Sequence, residues 1–294
     1  MNSALSFTEG TVIEKIKKLP VLPQVTLRLS ERMQSPTATL AEIASLIQTD
    51  AGLSSKILKL ANSSYYSIPG GVSDISKALQ YLGFTTIAQM ILTSSVLQSF
   101  KAIGLHSFSL EEFWKHSFAV GLLSEIASRS LQLECAKIAF IGGLLHDIGK
   151  LILLEIAPDH LGEILHHAQE FKLSFVHAEQ ALNKTHHTRL GVYLVEHWNL
   201  PKAISPFIEH HHDDFLSTES SKMNFDRALI AWANHWAHAK EIGHSGDYSP
   251  QLDHEAIEQE LSQSLGLTAK QLDQIEKKFQ LEYEKAGALL NGHT

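Results

Sequence analysis

The apolar stretch Ile138–Leu154 carries three groups that apolar surroundings do not tolerate alone: His146, Asp147 and Lys150. A buried charge is stable only when it is paired or bound to a metal. The His-Asp pair therefore needs a partner, and the chain offers several. Glu112 and His116 are spaced i, i+4 and share one face of a helix. His187 opens a predicted helix, and His211 and His212 close another. Such a mixed imidazole and carboxylate set suits Mn, Fe, Ni or Zn better than Ca or Mg, which prefer oxygen-only shells. These seven residues exceed what one tetrahedral ion needs and suffice for two. Lys150, one turn beyond His146 and Asp147, is placed to hold a phosphate oxygen beside the ions. Taken singly, each has an ordinary reading: a structural His-Asp pair, a surface histidine run at a helix end, a solvated glutamate. The combination, with its centre in an apolar segment, points to a metal site.

The elements that must position these residues are all helices. Punctuation by Pro, Gly and capping residues predicts Thr11–Leu19, Pro23–Gln34, a capping box at Thr39–Glu42, and Ala51–Ala61 capped by Asp50. A loop, Asn62–Gly71, contains Tyr65 and Tyr66, which we read as packing residues. Asp74–Leu82 ends at Gly83, and Thr85 opens a helix to Phe100. Leu110–Leu131, Glu134–Leu154, Pro158–Phe171, Ser174–Leu182 and His187–Trp198 follow. Pro201–His212 is expected to kink at Pro206, and Phe225–Ile242 to present Trp232 and Trp236 inward. Two tail helices, Asp253–Leu265 and Ala269–Leu289, dock either on the body or on a second subunit. No alternating pattern is long enough for a strand. The expected fold class is all-α: an N-terminal bundle of short helices (residues 1–105), a helical metal-site domain (106–243) and a helical tail (244–294). The first boundary is drawn where the chain turns from histidine-poor to histidine-rich.

Composition narrows the function. The chain has 294 residues, 44% hydrophobic and 19% charged, with a net charge of −8. That balance argues against a general polyanion-binding surface. A single cysteine, Cys135, fits a reducing compartment, and neither a signal peptide nor a membrane-length apolar run is seen, so a cytoplasmic location is expected. The 18 histidines outnumber the 13 phenylalanines, an excess that suits metal or proton chemistry.

Gly142-Gly143-Leu144-Leu145-His146-Asp147-Ile148-Gly149-Lys150 resembles the signature of the HD superfamily of metal-dependent phosphohydrolases. The N-terminal pieces are similar to one branch, the HDOD module: Leu19-Pro20-Val21-Leu22-Pro23, Ile47-Gln48-Thr49-Asp50-Ala51-Gly52-Leu53, Leu60-Ala61-Asn62-Ser63 and Ala78-Leu79-Gln80-Tyr81-Leu82-Gly83. Trp198-Asn199-Leu200-Pro201 before the double histidine fits the same branch. The resemblance spans Thr11 to Asp213. It implies that His116 is the isolated first histidine and that His146 and Asp147 are the namesake pair. By analogy with the related HD-GYP cyclic di-GMP phosphodiesterases, it implies further ligands at Glu112, His187, His211 and His212. The final aspartate of that pattern aligns with Asn234, which keeps an oxygen ligand but loses the charge; Asp226 is a weak substitute. The Gly-Tyr-Pro motif is replaced by Asp213-Asp214-Phe215-Leu216.

The resemblance implies a bacterial signal-transduction module holding one or two divalent transition-metal ions (Fe, Mn, Ni or Zn), regulatory with weak or no catalysis. The alternative is an active phosphohydrolase on a nucleotide or phosphodiester, with Asp147 orienting the nucleophile and Lys150 steadying the phosphate. A third reading is DNA binding by a helix-turn-helix over residues 39–60, but its second helix offers bases only Lys56 and Lys59, so a packed hairpin and no nucleic-acid partner are expected. The expected partners are a phosphate-containing small molecule or a signalling protein, with a homodimer as one assembly and no membrane contact.

Overall fold

The computed structural model describes residues 14–19, 21–35, 37–62, 68, 70–100, 107–213, 225–248 and 253–290. Among these the chain is helical throughout, with no strand. The loop residues Tyr65 and Tyr66, the boundary expected near residue 105 and the side chain of Asp226 lie outside the described residues.

The N-terminal helices are α1 (Gln24–Gln34), α2 (Leu40–Gln48), α3 (Ala51–Ala61) and α4 (Ile75–Ser99). Thr39 and Glu42 form the expected capping box on α2, and Asp50 accepts the Leu53 N–H on α3 at 2.9 Å. α4 is broken at Gly83, whose φ of 79° and ψ of 159° are not helical, so two helices meet there. Ile43, Ala44 and Ile47 of α2 and Leu53, Ile57 and Ala61 of α3 are buried in one apolar cluster with Val25, Leu29, Ile75 and Leu79. The 39–60 segment is thus a hairpin packed by its apolar face, as its hydrophobic spacing requires.

A second, larger cluster is built on α5 (Leu110–Ser130), α6 (Ala139–Leu145), α7 (Ile148–Ile156), α8 (Pro158–Phe171), α9 (Phe175–Ala181), α10 (His187–His197), α11 (Ser205–Glu209) and α12 (Phe225–Ala239). α5 and α6 cross at backbone contact: a Cβ on Gly143 would lie 2.7 Å from the Gly121 Cα. The tail helices α13 (His254–Ser264) and α14 (Ala269–Leu290) dock on the body of the same chain. Leu261, Leu265, Ile275 and Phe279 are buried in its core, and the Trp232 indole N–H donates to Glu258 at 2.7 Å and Ser262 at 2.8 Å. No helix among the described residues is long and apolar enough to cross a membrane.

The expected helix Glu134–Leu154 is three pieces: a 3-10 turn Glu134–Lys137, then α6, then α7. His146 and Asp147 lie in the break between α6 and α7, not on the face of a continuous helix. The His146 ring N–H donates to the Gly143 carbonyl at 2.7 Å, and Asp147 leaves helical geometry at φ −100°, ψ 6°. Pro201–His212 is likewise interrupted: a 3-10 turn Lys202–Ile204 precedes α11, which stops at Glu209 and leaves His210–His212 in a turn. In both places the local side-chain and turn geometry overrides helix continuation, and in both it aims ring nitrogens inward.

Candidate metal centre

Asp147 is the hub. The residue is buried to 1% exposure, and the pieces around it come from five helices or helix ends. Oδ1 lies 3.2 Å from His187 Nε2 and 3.4 Å from His211 Nε2. Oδ2 lies 3.3 Å from His146 Nε2 and accepts from Lys150 Nζ at 2.7 Å. His212 Nε2 is 3.2 Å from His187 Nε2, and His116 Nε2 is 2.8 Å from Asn234 Oδ1. Two donor groups result, both containing Asp147: His187, His211 and His212 on one side, His116 and His146 on the other.

Tautomers decide what these contacts mean. His146 and His211 spend their Nδ1 protons on the carbonyls of Gly143 (2.7 Å) and Ile208 (2.8 Å). His187 spends its Nδ1 proton on Glu179 at 2.8 Å. The Nε2 atoms of His146 and His211 are then lone pairs aimed at a carboxylate, and these two atoms and Asp147 Oδ1 are buried with no hydrogen-bond partner. Acceptors packed against acceptors repel unless a cation lies between them. Metal–nitrogen bonds of about 2.0–2.1 Å put neighbouring ligands about 2.9–3.4 Å apart, the range of these contacts. The donor set therefore fits a divalent transition ion.

Charge states follow the same geometry. Burial alone would raise the Asp147 pKa, but the Lys150 ammonium and the His146 imidazole outweigh it and hold the carboxyl well below its ordinary range. Burial pushes His116 and His211 down to about 4, so both are neutral lone-pair donors near pH 7. Burial also works against a charged His187, yet the carboxylates of Glu179 and Asp147 overcome it and raise the group to about 9. A proton on His187 thus takes the cation's place when no metal is there.

Residues 19–214 match the HDOD domain family. The chain belongs to the HDOD family. Over 212 residues the HDOD protein is 24% identical to an uncharacterized protein of Treponema pallidum, a match covering 69% of this chain and 39% of that relative. The chain thus spans well under half the length of that curated relative. An HDOD domain protein of unknown function from Geobacter sulfurreducens has the same fold, with a TM-score of 0.74 and 22% identity over 96% of this chain and 99% of the other. So does a candidate phosphohydrolase from Shewanella amazonensis, at TM-score 0.70 and 21% identity over 95% and 97%.

The structure gathers His116, His146, Asp147, His187, His211 and His212 into two donor groups that share Asp147, with Asn234 on His116, but it does not bring in Glu112. The Glu112 carboxylate is 41% exposed and pairs with Lys115 at 2.8 Å, because its turn of α5 faces outward at the helix N-terminus. Lys150 is fully buried, and its three protons go to Asp147 (2.7 Å), Ser245 (3.2 Å) and Asp247 (3.4 Å). This differs from a lysine free to hold a phosphate: its charge is committed to Asp147 and Asp247 within the protein.

Sequence reasoning missed Glu179, Ser245 and Asp247. Glu179 grips His187 twice, accepting the backbone N–H and the ring N–H at 2.8 Å each. Its only local signal is a carboxylate on an otherwise apolar face of α9, beside Phe175 and Ala178. Ser245 and Asp247 fall in a stretch that reads as plain loop, and beyond residue 214, where the family match ends. A cavity of about 580 Å³ opens beside the centre, lined by His211, His212 and Asn234 and by His235, His238 and His254.

Proposed function

We propose that this HDOD protein is a signal-transduction module whose buried centre holds one or two divalent transition-metal ions and acts chiefly in regulation. One observation carries the reading: ring nitrogens of His146, His187 and His211 converge on the Asp147 carboxylate at 3.2–3.4 Å, and His146 Nε2, His211 Nε2 and Asp147 Oδ1 are buried with no hydrogen-bond partner. His187, His211, His212 and Asp147 would hold one ion; His116, His146, Asp147 and Asn234 would hold the second. Signalling would follow from helix packing, since the ligands sit at the ends of α6, α10 and α11, and an ion that draws them together pulls on three elements at once. Elemental analysis of protein purified without added metal, then after loading with Mn, Fe, Ni or Zn, tests this. A transition metal bound near stoichiometrically is expected; a chain that stays metal-free after loading overturns the reading.

The 580 Å³ cavity against the same residues favours a second reading, hydrolysis of a phosphoester. When bound, the ions would supply Lewis acidity and an activated water. The chain's part would be to orient that water through Asp147, to keep Asp147 charged through Lys150, and to exclude bulk solvent with the surrounding apolar core. Asn234 weakens this reading, because it supplies an oxygen without the negative charge that would bridge ions or orient a nucleophile. Turnover of a nucleotide and phosphodiester panel with Mn or Fe, run beside Asp147→Ala, separates the two readings. Turnover by the parent chain alone supports hydrolysis; equal turnover by both proteins identifies a contaminant.

A further inference from the structure

We propose that His235 and His254 form a further transition-metal site at the cavity wall, separate from the Asp147 centre. Their Nδ1 atoms are 2.9 Å apart, with ring centroids at 5.1 Å. Two imidazole nitrogens bound to one ion at about 2.0–2.1 Å come about this close. The pair is assembled from two consecutive helices: His235 is on α12, and His254 is the first residue of α13, both beyond the family-matched residues.

The pair is held rigidly. His238 stacks on His254 at 4.8 Å and 26°, which fixes the ring plane. The Trp232 N–H bonds to Glu258 and Ser262 tie α13 to α12 one turn away, at 2.7 and 2.8 Å. Asp253 caps α13 by accepting the Ala256 N–H at 2.9 Å, setting the position of its first residue. Such preorganisation is what a weak two-ligand site needs, because the ion need not order the side chains. Both histidines line the 580 Å³ cavity, so the other coordination positions face open space and can take water or an anionic oxygen from a ligand. Two imidazoles with open positions select Zn, Ni, Co or Cu rather than Mg or Ca. The site would then place a cation at the wall of the cavity that His211, His212 and Asn234 also line, where a phosphate or carboxylate group of a ligand could reach it.

The test is equilibrium dialysis of the full chain against Zn2+, with elemental analysis, on the parent protein and on His235→Gln, His254→Gln and Asp147→Asn. Each histidine variant is expected to bind one Zn2+ fewer than the parent, while Asp147→Asn keeps that ion. An unchanged Zn2+ count in both histidine variants overturns the proposal and leaves the pair as a histidine–histidine hydrogen bond. Loss of all zinc in Asp147→Asn also overturns it. Ions that survive Asp147→Asn in full and fall only in the histidine variants would instead count against the Asp147 centre, so the two readings fail separately. Thermal melting of the histidine variants checks that any lost ion is not lost with the fold.

Discussion

At the residue scale, Asp147 and Glu179 do different jobs. Asp147 balances Lys150 and faces every imidazole of the centre, so Asp147→Asn removes a ligand charge and leaves a buried ammonium with only Asp247 and Ser245. Breaking a buried ion pair by removing one partner costs about 3–5 kcal/mol. Denaturant unfolding of the metal-free variant should show a loss of that size, and metal analysis should show a centre that no longer loads. Glu179 touches no ion in this arrangement; it sets the His187 tautomer and ring orientation. Glu179→Gln keeps an acceptor but loses the charge. Metal affinity is expected to fall by about 10–100-fold with the fold intact, the usual effect of losing a carboxylate behind a histidine ligand. Unchanged affinity by competition with a chelator would show that Glu179 is only a packing group.

At the element scale, the centre depends on how closely α7 approaches the start of α10. A Cβ added to Gly149 would overlap the His187 carbonyl oxygen, a clash that only backbone displacement can relieve. Overpacking of this kind costs about 1–3 kcal/mol. Gly149→Ala should therefore lower the melting temperature and, because the displaced atom belongs to a ligand residue, should weaken metal binding at the same time. An alanine variant that melts and loads like the parent would mean that α7 and α10 have room to slide. The glycine was visible in the sequence as part of the His-Asp-Ile-Gly-Lys run; that it is a contact point for His187 was not.

At the scale of the whole molecule, the buried histidines make the metal-free protein sensitive to pH on both sides. His116 and His211 have folded pKa values pushed from 6.5 to about 4, so the unfolded chain takes up protons first and stability falls as pH drops from about 6.5 towards 4. His187 is raised from 6.5 to about 9; its contribution is fully present below about 6.5 and is lost as pH rises through about 9. Melting temperature of the metal-free chain is expected to peak near pH 6.5. Loading with metal should remove the alkaline decline, since the ion replaces the proton on His187. A flat profile in the metal-free state would contradict the burial of these rings. The tail belongs to this scale too. α13 and α14 complete the main core, bringing Leu261 and Phe279 into it, and place His254 at the cavity.

By itself the sequence determined that the chain is all-helical, because apolar residues recur at helical spacing between Pro, Gly and capping residues. It also determined the family, and the His-Asp pair as the point of greatest polar cost in the most apolar stretch. Caps such as Thr39–Glu42 were legible because they are local. Only the tertiary structure decided that His146 and Asp147 sit in a helix break, that Glu112 turns outward to Lys115, and that Lys150 is spent on Asp147 and Asp247. It alone brought Glu179 to His187 and docked the tail on its own chain. Each of these depends on contacts between residues far apart in the chain, or on a competition between side-chain and backbone hydrogen bonds, and neither leaves a periodic mark on the sequence.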